Sequence, residues 1–514
     1  MKKWRQIPDS RLLFLIITAL ALFLTGVMIV VSDQVRQFHP LVVLTFLVNI
    51  GLFTYQLLRA INRHSFGFDM LHWLFCLFFL GYAPLLQHMA NTYPWDLVPT
   101  IGEVLTANFF YTLWSVCYML GRDYQKFPRL NGAVGVLAEK LKPVKDRLAQ
   151  KKPDFDGIGR NVADRLTKIT RKMPGKEGSP LAAYRETSLK TKLMDLLLLG
   201  SILCMLLDLA VVGLLGQISR STNGTGTGSV ALDLIFTHGI NNMLLFVAVA
   251  FILEAKKTGK ITWRTITALA CLGIAAFPTG LSRNMMASFY AGLLVLTFDV
   301  TKKGRWFSWI IICGLVLIFP AMEIFRWINT LKRGGLMDLI VRNFSTCYLK
   351  GHFDAHQMII TIMRYVKEFG YAWGEQILGA LLFFVPRSIW PAKPEGTGHT
   401  AIVALDQFYF SNVSANMAVE GYVNFGIVGI VIFAVLIGIL ARRVDTFYWR
   451  RRVKYWEEKL GDILYPFVMF MFFFLMRGDM MSAWGYTFAQ LAVGSVVIGV
   501  YLFACRFGSE KASV

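Results

Sequence analysis

The chain has 514 residues, of which 55% are hydrophobic and only 17% are charged, a composition that excludes an ordinary soluble domain. Its formal net charge of +21 does not require a nucleic-acid partner, because the positive-inside rule demands an excess of Lys and Arg in the cytoplasmic loops of a membrane protein. We therefore predict an all-α polytopic integral membrane protein, since helices satisfy their own backbone polar groups inside lipid.

Apolar stretches of roughly 20 residues, long enough to cross about 30 Å of hydrocarbon, recur along the chain. The first follows a basic N-terminus and is interpreted as an uncleaved span rather than a signal peptide. With the basic flanks placed inside, the pattern predicts about twelve transmembrane helices and two cytoplasmic termini. The predicted spans are 11–32, 40–60, 68–89, 99–121, 193–216, 232–254, 263–279, 285–300, 305–325, 424–441, 462–476 and 484–506.

These spans divide the chain into five segments. They are an N-terminal four-helix membrane segment at 1–121, a basic cytoplasmic loop at 122–191, a central membrane segment at 192–325, a large external (periplasmic) loop at 326–423 and a C-terminal membrane segment at 424–514. The cytoplasmic loop contains two helix-like stretches, at 134–150 and 158–172, whose basic faces suit anionic headgroups, and a solvated linker is the alternative. A short apolar piece at 377–385 in the external loop predicts a re-entrant or an interfacial helix.

The external loop is where we expect chemistry, because long loops in compact folds tend to carry function. Arg387 and Lys393 lie among three prolines that restrict the backbone, which predicts a stiff cationic clamp. Arginine binds phosphate oxygens in a bidentate manner, so several external arginines favour a diphosphate ligand. The alternative for a single arginine is a membrane anchor, and the further alternative for Arg477 is an ion pair with Asp479 or Glu420. The predicted substrate-binding and diphosphate-binding residues are Arg283, Arg387, Lys393, Arg477 and Asn424.

Three side chains are candidates for acid or base catalysis. Glu420 ranks first, because it lies just before a predicted span, where partial burial suits a carboxylate that must accept a proton. Asp354 ranks second and His399 third, and a lone histidine in a polar loop is alternatively only solvated. The sequence contains no P-loop, dinucleotide fingerprint, HExxH or nucleophile elbow, so we expect an already activated donor, and neither a metal nor a cofactor.

Two segments of the C-terminal half carry a family resemblance. The sequences VPRSIWPAKP at 385–394 and EGYVNFGIVG at 420–429 resemble the bacterial oligosaccharide repeat-unit polymerases (Wzy-type, O-antigen polymerase-like). The pairs and short runs FD at 353–354, GLSR at 280–283 and RGD at 477–479 are similar to family patterns as well. The resemblance extends over about 270–480, and the N-terminal half matches in hydropathy alone. The basic insert at 122–191 is longer than the family's usual connection and is a candidate docking site for other assembly proteins.

The resemblance implies a metal-independent membrane glycosyltransferase, similar in class to C-type glycosyltransferases and O-antigen ligases. Such an enzyme moves a growing glycan from polyprenyl (undecaprenyl) diphosphate to a newly flipped lipid-linked repeat unit, building O-antigen, capsule or exopolysaccharide. Arg283 and Arg387 would neutralise the leaving diphosphate. The implied location is the cytoplasmic (inner) membrane. The implied partners are the polyprenyl-diphosphate-linked oligosaccharide, the lipid bilayer, and a chain-length regulator and flippase of the same pathway.

Two other functions remain open from the sequence. One is an O-antigen ligase-like transferase, because ligases also use external arginines and a histidine. The other is a flippase or transporter of lipid-linked oligosaccharides. A transporter should carry ionisable residues in the middle of its spans and show internal repeats, whereas this chain places most of its candidate residues in one external loop.

Overall fold

The computed structural model describes residues 37–150, 180–218, 235–298, 306–315, 348–349, 351–406, 413–454 and 459–507. All regular structure in these ranges is helical and none of it is strand, which confirms the predicted all-α class for this part of the chain. The helices are α1 Pro40–Arg63, α2 Phe68–Ala90, α3 Ile101–Arg122, α4 Pro128–Gln150, α5 Pro180–Ile218, α6 His238–Thr258, α7 Trp263–Ala275, α8 at 283–297, α9 Trp306–Cys313, α10 Ala355–Phe369, α11 Glu375–Leu381, α12 Thr397–Leu405, α13 Met417–Lys454, α14 Leu460–Arg477 and α15 Met480–Phe507.

Eight helices of the described ranges are long and apolar enough to cross a bilayer, namely α1, α2, α3, α5, α6, α13, α14 and α15. The chain is therefore a polytopic membrane protein. The predicted count of about twelve stays a prediction. The stretch 11–32 lies outside the described residues, and only 306–315 is described of the span predicted at 305–325. Helix α7, within the span predicted at 263–279, has 13 residues.

The chain forms two compact units. The larger comprises Met1–Arg122 and Leu198–Gly499, and the smaller comprises Asp123–Leu197 and Val500–Val514. In the smaller unit, a single turn at Tyr124–Lys126 packs against α4. This helix covers the first helix-like stretch predicted in the basic loop, whereas the second, at 158–172, lies outside the described residues.

In the larger unit, α3 and α13 cross at glycines. A Cβ atom on Gly121 would lie 2.1 Å from the carbonyl oxygen of Val435, and one on Gly438 would lie 2.3 Å from that of Tyr118. Only residues without a side chain allow two backbones to approach this closely, as small residues do at other membrane helix crossings. The crossing joins the N-terminal spans to the helix that carries Glu420.

One end of this bundle is closed by a buried carboxylate. Asp445 accepts hydrogen bonds from the backbone N–H groups of Phe68 and Asp69, at 2.9 and 3.1 Å, and from the Tyr465 hydroxyl at 2.7 Å. It thereby caps α2 and ties it to α13 and α14. Arg122 lies 3.6 Å from the Asp69 carboxylate at the same end.

The opposite end of the bundle contains more helix than the sequence predicts. The described part of the loop predicted at 326–423 contains α10, α11, α12 and the first turns of α13. Residues 355–362 of α10 are all buried. The Tyr111 hydroxyl and the Asn416 amide both donate to the carbonyl oxygen of Ala355, at 2.7 and 2.9 Å. These residues are therefore helical, because their apolar side chains pack against α3 rather than facing water, and the external location of the segment stays a prediction.

Candidate functional site

The segment that carries Glu420 folds back on the helix that follows it. Within α13, Phe425 and Gly426 leave the helical conformation, and Gly426 has a φ of 60°. A Cβ atom on Gly429 would lie 1.9 Å from the carbonyl oxygen of Gly421. Residues eight apart in a continuous helix would be roughly 12 Å apart along the axis. The two turns at 417–424 therefore lie beside the next part of α13, and Glu420 lies within a helix rather than in a loop before one.

Glu420 joins three helices through its carboxylate. The hydroxyl of Thr397 in α12 donates to Oε2 at 2.7 Å, and the backbone N–H of Met480 in α15 donates to Oε1 at 3.2 Å. The side chain is 1% exposed. Both carboxylate oxygens are thus engaged with the protein and withdrawn from solvent.

Asn424 is engaged in the same way. Its amide nitrogen donates to the carbonyl oxygen of Glu420 at 2.8 Å, and its amide oxygen accepts from the backbone N–H of Gly374 at 3.0 Å. The side chain is buried. Asn424 therefore holds α13 to the turn before α11.

A second carboxylate, that of Asp479, lies next to Glu420. It accepts from the backbone N–H groups of Met481 and Ser482, at 2.6 and 3.4 Å, and so caps α15. A Cβ atom on Gly396 would lie 1.7 Å from Oδ2, so glycine is required where α12 begins. Burial raises the pKa of Asp479, and the hydrogen bonds from Met481 and Ser482 partly offset this.

Asp354 and Arg477 form a neighbouring group. Ser414 donates to the Asp354 carboxylate through its backbone N–H at 3.2 Å and its hydroxyl at 2.6 Å. The Arg477 guanidinium lies 3.9 Å from Asp354 and donates to the carbonyl oxygen of His352 at 3.1 Å. Asp354 is 1% exposed. The structure thus pairs Arg477 with Asp354, and not with the Asp479 or Glu420 alternatives from the sequence.

The predicted cationic clamp is a compact turn in which the two cations are used differently. The Lys393 ammonium donates to the carbonyl oxygens of Phe383 and Val385, at 2.5 and 3.1 Å, so it holds its own loop together. Burial and the nearby Arg387 lower the pKa of Lys393. The Arg387 guanidinium donates to the carbonyl oxygen of Lys393 at 2.7 Å, yet its side chain is 51% exposed. Arg387 is therefore the more accessible of the two cations.

Glu395 connects Arg387 to His399. One carboxylate oxygen lies 3.5 Å from an Arg387 nitrogen, and the other lies 2.5 Å from Nδ1 of His399. The side chains of Glu395 and His399 are 49% and 39% exposed. Glu395 is not among the site residues predicted from the sequence. The available signal is its spacing of four residues from His399, which places two side chains on one face where a helix begins.

Arg283 lies on a different helix from the other predicted cations. It is the first residue of α8, where the Ser282 hydroxyl accepts from the backbone N–H of Met285 at 3.4 Å and caps the helix. The first turn of α8 packs against α14, the helix that ends at Arg477. Arg283 therefore lies on a helix that packs against the helix ending at Arg477, whereas Arg387 belongs to the loop that leads into α12.

Two short segments assemble most of these groups. Residues 395–399 supply Glu395, Thr397 and His399, and residues 477–482 supply Arg477, Asp479 and the N–H groups that cap α15.

Among the described residues, no three His, Cys, Asp or Glu side chains are close enough together to hold a metal ion. No family model, curated protein or solved structure matches this chain.

Proposed function

We propose that this protein polymerises lipid-linked oligosaccharide repeat units at the external face of the cytoplasmic membrane. The observation that carries the proposal is the chain of contacts from Arg387 through Glu395 to His399, which puts a phosphate-binding group and a proton acceptor on one half-exposed segment. A donor that is anchored in lipid and carries a diphosphate between the lipid and the glycan can reach such a segment from the bilayer. The segments at 385–394 and 420–429, which resemble the Wzy-type polymerases, lie in or beside this group.

The orientation of the bundle follows the positive-inside rule. The end that Asp445 closes also carries Arg63, Arg122 and Arg442, and the proposal assigns it to the cytoplasm. The end with His399 and Arg387 is then external. This agrees with a donor that has already been flipped across the membrane.

The proposed reaction is a single glycosyl transfer. A hydroxyl oxygen on the non-reducing sugar of a lipid-linked repeat unit attacks the anomeric carbon of the growing glycan. The bond from that carbon to the diphosphate oxygen breaks, and its electron pair leaves with polyprenyl diphosphate. Arg387 holds the departing negative charge, and Nε2 of His399 takes the hydroxyl proton. The reaction therefore needs neither a nucleotide nor an external oxidant.

His399 is better suited than Glu420 or Asp354 to contact the acceptor. Both carboxylates are 1% exposed and have their oxygens engaged by protein donors. A base must come within hydrogen-bond reach of the proton that it accepts. In the proposed function, therefore, His399 is the base. Glu420 and Asp354 hold α12, α13 and the Ser414 segment in place around it.

The test is glycan length together with lipid-linked intermediates in cells whose own copy is replaced by His399→Ala or Arg387→Ala. Glu375→Gln, which alters an exposed carboxylate at the start of α11, is the matched control, and a blot confirms equal membrane levels. We expect loss of polymer and accumulation of single lipid-linked units on the external face.

Each other outcome assigns a different function. Accumulation of long lipid-linked polymer would indicate a ligase, because a ligase acts after polymerisation. Single units retained on the cytoplasmic face would indicate a flippase. Normal polymer in both variants would overturn the proposed site.

A further inference from the structure

We propose that Glu395 is the positioning residue for His399, which orients its imidazole so that Nε2 faces the acceptor hydroxyl. This inference deepens the proposed function and rests on it for the role of His399. The supporting contact is the 2.5 Å separation between a Glu395 carboxylate oxygen and Nδ1 of His399. A carboxylate only accepts hydrogen bonds, so Nδ1 carries the proton and donates it. In the neutral ring Nε2 is then unprotonated and can accept a proton from a hydroxyl.

The backbone around Glu395 is fixed by packing. Pro394 precedes it, and a Cβ atom on Gly379 of α11 would lie 2.5 Å from a ring carbon of this proline. Gly396 follows it and lies against the Asp479 carboxylate. Both neighbours of Glu395 are therefore held by other helices, which limits the positions that its carboxylate can take.

Glu395 also contacts the cation proposed for the donor. Its second carboxylate oxygen lies 3.5 Å from Arg387. One side chain thus sets the spacing between the group that would hold the leaving diphosphate and the group that would accept the proton. Transfer needs both at once, because bond breaking at the anomeric carbon and deprotonation of the acceptor must occur within one bound complex.

The charged groups around His399 come from the loop before α12 and from the residue before α15. Glu395 faces Nδ1, Arg387 approaches from the same loop, and Asp479 lies where α15 begins. Removing the charge of Glu395 leaves Arg387 and Asp479 in place. Nδ1 of His399 then faces a neutral acceptor, which forms a weaker hydrogen bond than a carboxylate does, so Nε2 is held less firmly toward the acceptor hydroxyl.

The first measurement is carbethoxylation of His399 by diethylpyrocarbonate at pH 7.5, followed by mass spectrometry, on the purified full chain in lipid nanodiscs. This reagent reacts at an unprotonated ring nitrogen, so the labelling rate reports how Nε2 is presented without any need for activity. We expect the labelling rate in Glu395→Gln to fall roughly 3-fold, because a neutral amide is a weaker acceptor for Nδ1 than a carboxylate is. Glu395→Asp should keep most of the wild-type labelling rate. Glu368→Gln, an exposed carboxylate on α10, is the control.

The second measurement is polymer formation at the same pH with extracted lipid-linked repeat units. We expect Glu395→Gln to reduce the rate roughly 10-fold, with partial recovery in Glu395→Asp. A surface ion pair contributes little to stability, so the thermal midpoint should not change.

The outcomes separate this inference from the proposed function. An unchanged labelling rate in Glu395→Gln would overturn the positioning role, whatever the activity. A lowered labelling rate in a protein that transfers no glycan would leave the Glu395 and His399 contact established and remove the polymerase function. A lowered transfer rate with unchanged labelling would indicate that Glu395 acts only through Arg387.

Discussion

Gly429 lies against the backbone of Gly421 so closely that a Cβ atom on Gly429 would meet the Gly421 carbonyl oxygen at 1.9 Å. This contact holds the two turns with Glu420 and Asn424 beside the next part of α13. The position of the carboxylate between α12 and α15 therefore depends on a residue without a side chain.

Gly429→Ala should separate the two parts of α13. The added methyl group cannot be accommodated without moving backbone, which costs roughly 1–3 kcal/mol, and the hydrogen bonds from Thr397 and Met480 to Glu420 should weaken with it. We expect a lower thermal midpoint in nanodiscs and a large loss of polymer formation. Gly273→Ala is the matched control, because a Cβ atom there meets nothing within 4 Å. Equal thermal midpoints in the two variants would contradict the fold-back.

Arg387→Lys should lose most of the polymer despite keeping a positive charge. A lysine cannot reproduce the planar fork that binds two phosphate oxygens at once and also reaches the Glu395 carboxylate. We expect at least a roughly 10-fold weaker affinity for undecaprenyl diphosphate in nanodiscs and a matching fall in glycan length. Arg450→Lys, at an exposed position of α13, serves as the comparison. Wild-type chain lengths in Arg387→Lys would remove Arg387 from the donor site.

The sequence predicts the helices well and the contacts between them poorly. Hydropathy identifies eight spans that the described residues contain, because the length and apolarity of a membrane helix are local properties. It does not identify the start of α13 at Met417, because that start depends on an Asn416 side chain capping Ala418 and Val419. It also misses the fold-back, which depends on contact between two glycines.

The same limit applies to the candidate site. The sequence selects Lys393 as half of a clamp, yet its ammonium holds the carbonyl oxygens of its own loop. It selects Glu420 for its position before a span, yet Thr397 and Met480 occupy both oxygens. The sequence alone shows that a loop residue is charged. Which group that charge contacts is determined by the tertiary structure.

Asp354→Asn should destabilise the protein more than it alters the chemistry. In this variant one carboxylate oxygen is replaced by an amide nitrogen. That nitrogen would face a donor of Ser414 or the guanidinium of Arg477, so at least one buried donor would lose its acceptor. We expect a loss of roughly 1–3 kcal/mol, seen as a lower thermal midpoint in nanodiscs. Ser414→Ala should have a smaller effect of the same sign, because the backbone N–H contact remains. A thermal midpoint equal to that of Glu368→Gln would show that the Asp354 contacts contribute nothing to stability.

The stability of the fold should fall below neutral pH because of His356. This side chain is 3% exposed, and its Nε2 donates to the amide oxygen of Asn108 at 3.0 Å. Burial, with a smaller contribution from His88, lowers the pKa of His356 to about 3. In the unfolded chain this side chain binds a proton near pH 6.5, whereas in the folded chain it does so only near pH 3. The contribution of His356 to folding stability is therefore fully present above about pH 6.5 and is lost as the pH falls from there toward 3.

At pH 5.5 the loss from His356 alone should be about 1.4 kcal/mol relative to pH 7.5. His64, whose pKa burial together with Arg63 and Arg442 lowers to about 4, adds to the loss with the same sign. Thermal midpoints of wild type and His356→Gln at the two pH values isolate the His356 part. We expect the variant to be less stable at pH 7.5, because the contact to Asn108 changes, but to depend less on pH. An unchanged pH dependence in His356→Gln would mean that His356 takes up its proton equally in the folded and unfolded chains.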